Sequence, residues 1–91
     1  MRSLASVLLT ELPINATARV TEVVDLTEGD EISLRLRELG FVSDEPIRLV
    51  GRGPFGRDPL LVQIGFTRFA LRRAEAERVR VEVTDMTGAR A

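Results

Sequence analysis

The chain has 91 residues, a hydrophobic fraction of 44% and a formal net charge of −1, which describe one small soluble domain and exclude a disordered chain. It contains no cysteine and no histidine, so disulfides, thiolate or imidazole metal ligation and any histidine relay are excluded. All 13 basic residues are arginine, which also removes Schiff-base chemistry and a phosphate-loop lysine.

The charge is uneven along the chain. Residues 1–45 carry four Arg against nine Asp and Glu, a balance of −5; residues 46–80 carry eight Arg against three acids, a balance of +5. No apolar run approaches the roughly 18 residues of a membrane helix. The opening "MRSLASVLLTELP" is too short and too soon interrupted by Glu11 for a secretory leader. It reads as a helical segment over 1–11 that docks on the domain.

Leu12–Asn15 reads as a turn. From Ala16 to Leu26 apolar and polar residues roughly alternate, and the alternation breaks at Val23 and Val24, which predicts a strand with a bulge or bend near Glu22. Thr27-Glu28-Gly29-Asp30 is a helix start, with Thr or Asp as cap and acids in the first turn. Ile32, Leu36 and Leu39 then share one helical face until Gly40 stops the helix. Leu34 lies off that stripe, and either fills a side pocket or faces a partner. After the turn Phe41–Pro46, short strands are predicted over Ile47–Arg52, Leu60–Ile64 and Thr67–Leu71, with a tight turn at Gly65-Phe66. Arg72–Arg78 reads as one helical turn with complementary charges at short spacing. Val79, Val81 and Val83 alternate with Arg80 and Glu82 in a final strand. The expected fold is mainly β: a small five-stranded barrel with one inserted α-helix and short terminal helical turns. It is expected to occupy 1–84, followed by a flexible tail over 85–91.

Between two of these strands, Gly51, Gly53 and Gly56 spell the G-x-G-x-x-G of a dinucleotide loop. The context contradicts that chemistry. The third glycine leads into Arg57-Asp58-Pro59 and another strand, so no helix N-terminus meets a phosphate. A β-hairpin tip that needs tight bends and positive φ is the better reading. Phe55 stands in the middle of this tip between Arg52 and Arg57, and either folds back or presents an apolar anchor with a basic rim.

Three motifs in order, "RLRELGF" (Arg35–Phe41), "GPFGRDP" (Gly53–Pro59) and "FALRRAEAERVRVE" (Phe69–Glu82), resemble the FeoA family of small cytosolic partners of the ferrous-iron transporter FeoB. The resemblance runs from about Leu12 to Val83 and implies an SH3-like barrel. The same domain type ends the diphtheria-toxin-repressor class of metal-dependent regulators, but this chain has no room for their other parts. Ser43-Asp44 stands where the family often has Pro-Gly, Gly53 where Ala is common, Phe55 for Leu and Arg57 for a second Gly, which alters the bulk and charge of the tip.

The resemblance implies a non-enzymatic interaction module, cytoplasmic and brought to the inner membrane by its partner. That partner is the cytosolic, GTP-hydrolysing region of FeoB, and the module acts as a monomer or weak homo-oligomer. Arg52, Phe55, Arg57 and Leu34 are the expected partner-binding residues. No catalytic residue and no required cofactor is expected. Asp25, Glu28, Asp30 and Glu31 complement the helix dipole. They leave room only for a weak divalent site on carboxylates shared between chains. The second reading is an accessory module that binds nucleic acid or works with a metal-dependent repressor, suggested by the basic middle of the chain. Against it stand a pI of 5.4 and the absence of Tyr and Trp for stacking. The same lack of aromatics argues against a reader of proline-rich peptides.

Overall fold

The structure is a computed structural model and describes residues 6–89. Its elements in chain order are β1 (Val7–Leu8), a 3-10 turn (Leu9–Glu11), β2 (Thr17–Val23), α1 (Glu31–Leu39), β3 (Pro46–Phe55), β4 (Asp58–Ile64), β5 (Thr67–Leu71), α2 (Arg73–Ala76) and β6 (Val79–Asp85). The strands form one antiparallel sheet in the order β1-β6-β2-β3-β4-β5. β6 returns from the end of the chain to lie between β1 and β2, which ties both ends of the domain together. The mainly β class with one longer helix is as expected, but the described residues form six strands rather than five.

The sixth strand is β1. Val7 and Leu8 fall in the segment expected to be helical, yet they pair with Val81 and Arg80 of β6. Pairing on a long-range partner overrides local preference here, and among the described residues of that segment only the 3-10 turn Leu9–Glu11 is helical. The part of the expected helix over 1–5, and of the expected tail over 90–91, lies outside the described residues. Asp85 still belongs to β6, and the Thr87 N–H turns back onto its Oδ1 at 2.8 Å.

The sheet curves where its register slips. A bulge falls between Val20 and Glu22, next to the residue where the sequence predicts one. Two more fall in β3, between Leu49 and Gly51 and between Arg52 and Phe55. Each extra residue bends its strand and increases the local twist. The concave side closes over Leu9, Leu12, Val20, Phe41, Leu49, Leu60, Val62, Val79 and Val81, all buried.

Helix α1 is fixed at both ends. Asp30 is the cap: its Oδ1 accepts from the Ile32 and Ser33 N–H groups at 3.0 and 3.3 Å. At the other end Gly40 has φ +117°, its N–H bonds to Arg37 O, and the Phe41 N–H reaches back to Leu36 O. This is a Schellman closure. It delivers Phe41 into the core, where its ring centroid lies 5.8 Å from that of Phe69.

Candidate functional site

The β3–β4 hairpin ends in a two-residue turn, Gly56-Arg57, flanked by the pair Phe55 and Asp58. Both turn residues have positive φ, +63° and +69°. That is the sign pattern of a type I′ turn, whose twist matches the strands on either side. The glycine-rich stretch is therefore a hairpin tip and not a nucleotide cradle. Beyond the bulge at Arg52 the hairpin runs past the core, and Phe55 is 82% exposed. With Asp58, Pro59, Ala70 and Arg72 it lines a shallow groove. Asp58 steadies the base of the tip by accepting from the Arg73 N–H at 2.9 Å.

The four expected contact residues fall in different settings. Phe55 and Arg57 sit together at the tip. Arg52 is turned inward, and its Nη2 donates to the carbonyls of Thr10 and Leu12 at 2.7 and 3.2 Å. It thus ties the 3-10 segment to β3, and its Nε is buried without an acceptor among the described residues. Burial, then the positive charges of Arg57 and Arg73, hold its pKa below the usual arginine value. Leu34 lies on the open side of α1, 53% exposed, and lines neither the tip groove nor the pocket beneath Arg52.

The acids at the helix start have structural partners. Asp30 is buried, and its Oδ2 accepts from Arg78 Nε at 2.7 Å and from the Leu26 N–H at 2.8 Å. The Arg78 bond, with the backbone donors of Leu26, Ser33 and Ile32, holds the Asp30 carboxyl well below the ordinary carboxylate range against the cost of burial. Asp25 accepts from the Ser33 hydroxyl and from Arg37, and both lower its pKa, the Ser33 bond more. Among the described residues no three acids come close enough to hold a metal together.

Two features depart from the sequence pattern. Arg78, expected in local charge pairing around α2, reaches back 48 residues to Asp30. Glu75 instead accepts from the Arg72 N–H and closes the first turn of α2. The stripe on α1 is only partly core. Leu36 is buried, while Ile32 and Leu39 remain more than a third exposed. They line a groove of about 350 Å³ between α1 and β5, with Phe69 and Leu71 opposite. The narrowness of that stripe, three apolar residues, is the available signal. Phe66, placed only as a turn residue, is fully exposed.

Fold and surface together define an SH3-like β module, with exposed apolar and basic groups on a hairpin tip and one helix. Residues 7–83 match the family model described as FeoA domain, and the chain belongs to the FeoA family, a non-catalytic accessory family implicated in ferrous iron transport. It is 56% identical to the FeoA of Stenotrophomonas maltophilia, a structure described as a procaryotic SH3 domain protein complexed with zinc; the match covers 84% of this chain and 89% of that one with a TM-score of 0.78. Iron(II) transport protein A of Clostridium thermocellum is 32% identical over 86% of this chain and 46% of its own, with a TM-score of 0.74. The FeoA protein of Chlorobium tepidum is 30% identical over 85% of this chain and 70% of its own, with a TM-score of 0.70. Comparison with curated proteins gives no match. Among the described residues no helix is long and apolar enough to cross a membrane.

Proposed function

We propose that this protein is a non-enzymatic module that docks on the cytosolic GTPase region of the FeoB transporter and modulates ferrous iron uptake. It works in the cytoplasm, at the inner membrane through that partner, and needs no cofactor of its own. The observation that carries the reading is Phe55. A phenylalanine that is 82% exposed at the strand end beside a two-residue turn, with Arg57 in that turn, has the composition of an interface anchor and its rim. Leu34 on α1 offers a second apolar contact. Family membership supports iron transport as the setting, and an activating role in ferrous iron transport has been suggested for the Stenotrophomonas protein.

The test is calorimetric titration of the protein into the isolated GTPase region from the same cell, once with GDP and once with a GTP analogue. Saturable binding is expected, with an affinity that differs between the two nucleotides. Folded protein that binds in neither state refutes docking on this region.

A further inference from the structure

A second basic feature lies beneath the tip and has a different construction. Arg52 from β3, Arg57 from the hairpin turn and Arg73 from the start of α2 converge on one pocket of about 420 Å³, walled on the other side by Thr10–Pro13. Arg52 is immobilised by the Thr10 and Leu12 carbonyls. Among the described residues Arg57 and Arg73 have no carboxylate within 4.0 Å of their guanidinium groups, and the ion pairs use Arg37, Arg78 and Arg80 instead. Glu11 is the acid on the pocket wall, and its Oε1 accepts from the Leu8 N–H. Three arginines less one glutamate leave the pocket lining at +2, with Asp58 held outside that lining on the Arg73 N–H, in a protein whose formal net charge is −1.

Gathering three like charges around a single acid costs free energy, and more so where one of them is partly buried. Burial first, and then the charges of Arg57 and Arg73, hold the Arg52 pKa below the usual arginine value. A bound dianion removes that cost. A carboxylate supplies one negative charge. A terminal phosphate supplies about −1.5 to −2 and three strong acceptor oxygens, which suits guanidinium groups approaching from three separate elements. We propose that this pocket binds the phosphate end of a small soluble ligand. The inference does not rest on docking to the transporter: Arg73 and the Thr10–Pro13 wall lie outside the tip, and the ligand binds the free protein.

The experiment is titration of the full chain with inorganic phosphate and with pyrophosphate at constant ionic strength, read from backbone amide NMR shifts. Saturable shifts are expected at Thr10, Glu11, Leu12, Arg57 and Arg73, with pyrophosphate the tighter ligand. R73Q should weaken binding about tenfold, and R57Q/R73Q further, for the loss of one and two charge-assisted bonds. The same spectra report whether each variant is folded, and R73Q alone decides if the double variant is not. Arg52 is left in place because it holds the fold. Shifts spread over all exposed arginines, or affinity unchanged in R73Q, overturn the proposal. So does binding to vesicles containing phosphatidylglycerol by a protein that gives no saturable response to pyrophosphate, since the ligand is then a lipid surface.

Discussion

Phe55 and Phe41 make a paired test of what the tip is for. Phe41 is fully buried and stacks obliquely on Phe69. Phe41→Ala removes a core side chain and should cost about 3–5 kcal/mol. Phe55 is 82% exposed, which leaves roughly a fifth of its surface sheltered. Of the ~200 Å² a phenylalanine can bury, that is on the order of 40 Å², and at about 25 cal/mol per Å² it is worth at most ~1 kcal/mol. Phe55→Ala should therefore leave the urea midpoint close to the parent value. Truncation of an interface anchor should weaken binding to the GTPase region by about 1–3 kcal/mol, roughly 5- to 150-fold in Kd. Unfolding curves and calorimetry on the same two variants separate the effects. A Phe55→Ala protein that loses several kcal/mol of stability would refute the exposed-anchor reasoning; one that binds as tightly as the parent would remove the tip from the interface.

Gly40→Ala tests the helix stop on its own, because an added Cβ meets nothing nearer than Ile64 Cδ1 at 3.9 Å while φ stays at +117°. The cost is conformational, about 1 kcal/mol, and should lower the melting temperature by roughly 4–8 °C. Asp30 predicts an acid-sensitive fold. Its folded pKa is depressed below the ordinary aspartate value of 3.8, so the stability it contributes is fully present above that pH and drains away as pH falls below it toward the folded value. Urea midpoints of the parent should fall steeply below about pH 4, whereas Asp30→Asn should be weaker at neutral pH and flatter with acid; equal slopes would show that the carboxylate is not the titrating group.

Much of the architecture was legible because its signals are local. The break in alternation at Val23 and Val24 pointed to a bulge near Glu22, where β2 has one, and Gly40 marked the end of α1. The glycine run was separable from a nucleotide loop because a strand, and not a helix, comes after its third glycine. The features that escaped depend on pairs distant in sequence. Val7 and Leu8 become a strand only because β6 passes beside them, more than seventy residues later. Arg52 and Arg57 look equivalent as flanks of Phe55. The bulge between Arg52 and Phe55 puts the first against the chain's own carbonyls and leaves the second outside.

The same divergence divides the arginines of the basic middle among different settings. Of the eight arginines between 46 and 80, Arg78 is buried against Asp30 and Arg52 is engaged by backbone carbonyls. Arg80 pairs with Glu22, and Arg68 bonds to Gln63. This partition leaves Arg48, Arg57, Arg72 and Arg73 outside any ion pair among the described residues, and of these Arg57 and Arg73 converge beneath the hairpin, with an exposed phenylalanine a few residues away. If the proposed docking holds, charge concentrated beside one apolar anchor favours a compact partner group over the long backbone of a nucleic acid.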